Sequence, residues 1–134
     1  DKEKSKQAYR LAARGEFNLS SAMYYNDQPP QMMYYSAKAI AALGDKDEAK
    51  KRFNAFIEYA NNHMNDEMKI DYFAVSLPDF LIFEGDLNKN NKVHCNLMAA
   101  LGYLGIGDND NAQKYAKQGL ELNQCHAELR DIVK

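Results

Sequence analysis

Two adjacent pairs, His94-Cys95 and Cys125-His126, carry the side chains from which a metal site could be made. Imidazole and thiolate together are zinc ligands and close around the ion as a tetrahedron. One pair falls at the expected start of a helix and the other just past the end of its antiparallel partner. One end of a hairpin could therefore gather all four. Neighbours on a helix point about 100° apart, however, and neither pair has a chelating separation. The residues read as two buried or half-buried thiols and two ordinary histidines, with no metal. A Cys95–Cys125 disulfide is geometrically open, but two cysteines make no disulfide framework, and a reducing compartment or simple burial accounts for them.

Asp66, Glu67, Asp71 and Asp79 raise the chemistry of paired carboxylates. Glycoside hydrolysis needs two such groups facing a sugar across about 5–10 Å, one of them with a raised pKa. Asp66 and Asp71 are expected near a helix start, where an acid meets the positive end of the dipole. Asp79 follows Pro78 and suits a turn. Capping accounts for these acids without catalysis. The sequence holds no Gly-rich phosphate loop, serine-nucleophile motif or metalloprotease helix. No catalytic residue, metal ligand or cofactor site is assigned. Met23, Met32, Met33, Met64, Met68 and Met98 read as core filler.

A denser group combines Tyr24, Tyr25, Tyr34, Tyr35 and Tyr72 with Asn26, Asp27 and Gln28. Tyrosine buries its ring while sending the hydroxyl to a partner, which suits both docking surfaces and the gaps between packed helices. Seventeen basic and nineteen acidic residues leave a net charge of −2, so no global field draws the chain to nucleic acid. The basic cluster Lys2, Lys4, Lys6, Arg10 and Arg14 is diluted by Asp1 and Glu3 and would spread over several helix faces as a solvated surface. No apolar run approaches the ~18 residues that cross a membrane, and no charged stretch leads into an apolar one as in a signal peptide. The opening at Asp1 rather than Met reads as a processed or excised piece, which leaves the compartment open.

The elements that must position these residues are helical. Gly and Pro total only ten of 134 residues, against a Gly-rich all-β plan and against disorder. Hydrophobic residues are 46% and charged residues 27%, as in an ordinary globular domain, and this length buries about two thirds of its unfolded surface. Ala37, Ile40, Ala41 and Gly44 keep the spacing of one helix face. Gly44 is placed to end that helix, and Asp45 to cap the next. Ala49, Phe53, Phe56, Ile57 and Ala60 form the following stripe. The plan returns in Leu97, Ala100, Leu101 and Leu104, a break at Gly107-Asp108, then Ala112, Tyr115, Ala116, Leu120 and Leu122.

The offsets around these turns repeat. Met33, Ser36-Ala37, Ile40, Gly44, Ala49 and Phe53 match Asn96, Ala99-Ala100, Tyr103, Gly107, Ala112 and Ala116. A third copy comprises Gln7-Ala8, Leu11, Gly15, Ser20 and Tyr24. In this the chain resembles the tetratricopeptide repeat, whose small residues let helices approach and whose bulky ones fill the gaps. Asn96 stands where that repeat has a large aromatic, and Gln124 where it often has Pro.

The expected architecture is all-α, antiparallel hairpins stacked as a right-handed superhelix in one domain over 1–134. Partial repeats fall at about 1–27, 30–62 and 93–125. A distorted insert at 63–88 is expected to contain a short helix ended or kinked by Pro78, and Gly85, Asn88, Asn90 and Asn91 are expected to mark a loop before the next helix.

Two segments narrow the likeness: Tyr24-Tyr25-Asn26-Asp27-Gln28-Pro29-Pro30 with Met33 to Tyr35, and Lys69 to Phe80 with Asp86 to Asn88, Asn91 and His94-Cys95. They resemble the C-terminal repeat region of large bacterial proteins of unknown function that carry an upstream β-rich, mutarotase-like domain. The resemblance implies a tail of a longer protein and no catalytic residue within it. The repeat's geometry places Gln31, Tyr34, Lys38, His94, Leu97 and Leu101 on the groove side. Tyr24, Tyr25, Asn26, Asp27, Gln28, Asp71, Tyr72 and Asp79 are the candidate docking loops. The leading expectation is a non-catalytic scaffold that binds a protein, a peptide or its own upstream domain. The alternatives are a contribution to a carbohydrate site on that domain, and homodimerisation.

Overall fold

The computed structural model describes residues 2–13, 30–67 and 84–133. Every element among them is an α-helix: α1 (Lys2–Ala13), α2 (Pro30–Ala42), α3 (Lys46–His63), α4 (Glu84–Gly105), α5 (Asn109–Leu122) and α6 (Ala127–Ile132). The candidate docking residues Tyr24 to Gln28, Asp71, Tyr72 and Asp79 lie outside the described residues, as does the short helix expected before Pro78.

The α2–α3 and α4–α5 turns are built alike. Gly44 and Gly107 sit at φ +104° and +86°, a region where a Cβ would be strained. Each turn closes with the same two backbone bonds. Gly44 N–H reaches Ala41 O and Asp45 N–H reaches Ile40 O, while Gly107 N–H reaches Leu104 O and Asp108 N–H reaches Tyr103 O. This paired pattern satisfies carbonyls that a helix end leaves open. The next residue then caps the following helix: Asp45 Oδ1 accepts from Glu48 N–H at 3.1 Å, and Asp108 Oδ1 from Asn111 N–H at 3.2 Å. The result is two helical hairpins, α2/α3 and α4/α5.

The hairpins pack directly on one another through α3 and α4. Every residue from Cys95 to Gly102 is buried, so this part of α4 is covered on all faces. Met33, Phe53, Phe56, Ala60, Met98 and Ala99 complete the centre of the core. Small residues set the closeness. A Cβ on Gly102 would stand 2.7 Å from the Phe53 carbonyl oxygen and 2.7 Å from Ile57 Cγ1. At one edge, α1 packs against α2, where Ser36 Oγ donates to Ala13 O at 3.5 Å.

The region expected to be an insert differs from its sequence reading. Helix α4 begins at Glu84, so Gly85, Asn88, Asn90 and Asn91 are helical rather than a loop. Asparagine is a poor helix former in isolation, but tertiary bonds outweigh that preference here. Asn91 is buried, and its Nδ2 donates to the His63 carbonyl oxygen at 2.7 Å. His94 and Cys95 consequently fall in mid-helix, not at a helix start. Asp66 follows the C-terminus of α3, where the dipole disfavours an acid; the helix start expected beyond it lies outside the described residues. The His63 ring offsets this, its Nδ1 donating to Asp66 Oδ2 at 2.6 Å.

Candidate functional site

Helices α2, α4 and α6 together enclose a cleft of about 290 Å³. From α2 come Gln31, Tyr34, Tyr35 and Lys38; from α4, Leu101 and Leu104; from α6, Glu128, Asp131 and Ile132. Each set follows a helical face, with spacings of three, four or seven residues. The floor is therefore aliphatic and aromatic, and the rims are charged.

Tyr34 anchors the cleft to the core. It is nearly buried, its ring centroid 5.7 Å from that of Phe53 and 5.3 Å from that of Tyr35. Burial, and then neighbouring Tyr35, pushes its phenol pKa up, so its hydroxyl stays protonated. Lys38 Nζ lies 5.4 Å from the same ring, a cation–π distance. Tyr35 is 59% exposed at the rim.

The opposite rim is acidic. The Glu128 carboxylate takes a hydrogen bond from its own backbone N–H and one from the Gln31 side chain. With His126 close by, these hold its pKa below the usual carboxylate range despite partial burial. Helix α6 is secured at both ends. His126 Nδ1 accepts from Leu129 N–H at 3.4 Å, and Gln113 Nε2 donates to Ile132 O at 2.7 Å. The Asn123 side chain shapes the preceding turn by accepting from Cys125 N–H at 3.2 Å.

The six groove residues read from the sequence separate into two groups. Gln31, Tyr34, Lys38 and Leu101 meet at the cleft. Leu97 and His94 lie on the same face of α4, one and two turns earlier, but they are covered. Leu97 and Leu101 are both core residues, at 3% and 4% exposed, and Leu101 alone of the two reaches the cleft, at its floor. His94 is largely buried, edge-on to Tyr59 at 6.2 Å, and its Nε2 has no hydrogen-bond partner among the described residues. Burial, and then His126, lowers its pKa.

Glu128, Asp131 and Ile132 lie beyond the partial repeat that the sequence places at about 93–125. Their spacing, one turn of an amphipathic helix, was the available signal. Leu104 continues the stripe of Leu97 and Leu101.

Of the metal-type pairs, His94 and His126 come close enough to interact, while the two thiols differ in exposure. Cys95 is buried and Cys125 exposed, both as free thiols. Among the described residues no three His, Cys, Asp or Glu side chains sit together as a metal-binding group. Lys2, Lys4, Lys6 and Arg10 are all exposed along α1. No helix among the described residues is long and apolar enough to cross a membrane. No family model matches the chain, and no solved structure matches it.

Proposed function

We propose that this chain is a non-catalytic interaction module of the tetratricopeptide-repeat kind, holding a segment of protein in the α2–α4–α6 cleft. One observation carries the reading: the first helices of two successive hairpins, and the helix that follows them, converge on one concave, mostly apolar surface. In a stacked array the first helix of each hairpin lines the inner face. Here α2 and α4 are the first helices of their hairpins, and α6 stands where the next would begin.

The surface has the composition of a docking site. Tyr34 and Tyr35 supply rigid rings, the type of residue enriched where binding energy concentrates. Lys38 on one rim and Glu128 with Asp131 on the other fix the polarity of what enters. The segment belongs either to another protein or to an upstream part of a longer chain.

The test is selection of random peptides by display against the 134-residue chain, with affinities then measured by calorimetry. Micromolar peptides that lose about tenfold or more on Lys38→Glu or Asp131→Lys support the reading. Peptides that bind these variants and Tyr35→Ala as well as the parent would sink it.

A further inference from the structure

One nitrogen of His126 faces two partners that it cannot serve at once. Its Nδ1 lies 3.4 Å from the Leu129 backbone nitrogen and 3.1 Å from Glu128 Oε2. To accept from the Leu129 N–H, Nδ1 must present a lone pair. To donate to the Glu128 carboxylate, it must carry a proton. In the first state the ring caps α6, satisfying an amide that the first turn of a helix leaves open. In the second state the cap is lost and a charge-assisted bond replaces it.

Both partners reach beyond α6. Leu129 is fully buried and packs against Gly119 of α5, so the cap holds the first turn of α6 where this side chain enters the core. Glu128 lines the α2–α4–α6 cleft and also takes a hydrogen bond from the Gln31 side chain on α2. The titratable groups set against the ring are Glu128 on its own helix and His94 on α4. His94 resists a proton, because burial, and then His126, lower its pKa. From α2 comes only the neutral Gln31, by way of Glu128. From α5 comes the Asn123 carbonyl, which accepts from the His126 backbone N–H at 3.3 Å.

We propose that His126 is a proton-operated latch on α6: with Nδ1 unprotonated the ring caps the helix, and proton uptake at Nδ1 exchanges that cap for the Glu128 pair. Imidazole is the side chain suited to such an exchange near neutral pH. The proton comes from solvent, and no covalent bond changes. Without its cap the Ala127–Leu129 turn opens more often, and the acidic rim of the cleft loosens with it. The consequence for docking rests on the reading of that cleft as an interaction surface; the latch itself does not.

The experiment needs no ligand. The ¹⁵N-labelled 134-residue chain is followed by NMR from about pH 8 to about pH 5, through the imidazole range. At the upper end the His126 Nδ1 resonance should be that of an unprotonated nitrogen. As the ring titrates, exchange of the Leu129 amide, corrected for its intrinsic rate, should speed up by about tenfold with the same midpoint. The Phe56 amide, in the core of α3, should stay protected, which separates a local opening from global unfolding. His126→Asn accepts at a cap without titrating, so it should keep Leu129 protected throughout. Glu128→Gln should move the His126 midpoint to lower pH, because the neighbouring anion is gone. His94→Gln should leave the step in place.

Four results would overturn the proposal. They are an Nδ1 already protonated at the upper end, Leu129 exchange that stays flat while His126 titrates, a step that survives His126→Asn, and a step that His94→Gln abolishes while His126 still titrates.

Discussion

Asn91 on α4 donates its side-chain amide to the carbonyl oxygen of His63, the last residue of α3, at 2.7 Å and across 28 positions of sequence. That carbonyl belongs to a helix end and lacks an intrahelical partner. It also accepts from Asp66 N–H at 3.1 Å, and the Asn91 Oδ1 lies 3.8 Å from Cys95 Sγ. The bond ties the C-terminal end of one hairpin to the first helix of the next.

Asn91→Ala should therefore destabilise the chain by about 1–2 kcal/mol, the usual effect of losing a buried hydrogen bond. Asn91→Asp should cost more, because a carboxylate would face the carbonyl and sit near Asp66. Urea unfolding checks this: the midpoint should fall while the slope stays constant. A midpoint unchanged in both variants would remove the bond's assigned role.

Gly102 and Gly119 should respond differently to alanine, although both are helical and buried. Alanine recovers up to about 1 kcal/mol of helix propensity at either position. At Gly102 the added carbon meets the Phe53 carbonyl oxygen at 2.7 Å, and backbone cannot step aside cheaply. At Gly119 the nearest atom is Leu129 Cδ1 at 2.6 Å, the end of a flexible side chain. Gly102→Ala should lose about 1–3 kcal/mol, as overpacked cores do. Gly119→Ala should be closer to neutral. Equal losses in thermal unfolding would contradict the reading of the Phe53 carbonyl as the less yielding neighbour.

Acid should weaken the fold partly through His94. Its folded pKa lies below the ordinary 6.5, because burial, and then His126, disfavour the charged ring. Below that pH the unfolded chain binds a proton that the folded chain resists. Stability therefore rises with pH through this window and falls as pH drops beneath 6.5. His94→Gln should flatten the pH dependence of the unfolding midpoint between neutrality and about pH 5. Parallel curves for parent and variant would exclude His94 as the source.

The two thiols should differ sharply in reactivity. Burial, and then Asp66, pushes the Cys95 pKa up to about 12, while Cys125 is exposed. Thiolate is the reactive form, so a thiol reagent should modify Cys125 in the native chain and Cys95 only after unfolding. Mass spectrometry would show one adduct per chain in buffer and two in denaturant. Native labelling of Cys95 at a rate equal to that of Cys125 would mean that α4 is not covered on all faces.

The hairpin turns were legible from local pattern because their chemistry is local. A glycine after an apolar stripe, followed by aspartate, is enough to stop one helix and cap the next. Gly44-Asp45 and Gly107-Asp108 do this with bonds that span five residues or fewer. The all-α class followed from the same periodicity.

The start of α4 was not legible. Gly85 and the asparagines favour loops by intrinsic preference, and the partner that holds Asn91 in a helix stands 28 residues away. At the end of α3, the His63 ring stabilises Asp66 where the helix dipole alone disfavours an acid.

The candidate site divides along the same line. The sequence by itself determined which residues share a helix face: Gln31, Tyr34 and Lys38 on α2, and His94, Leu97 and Leu101 on α4. Periodicity settles that much. Which of them remain accessible was decided only by the tertiary structure. At its first turn, α6 brings His126 beside His94 and meets Gln31 through Glu128. One turn later Asp131 stands over Leu104, which stays half-buried, and over Leu101, which is buried at the floor. Exposure depends on what packs against a face, and that is a property of distant chain, not of spacing.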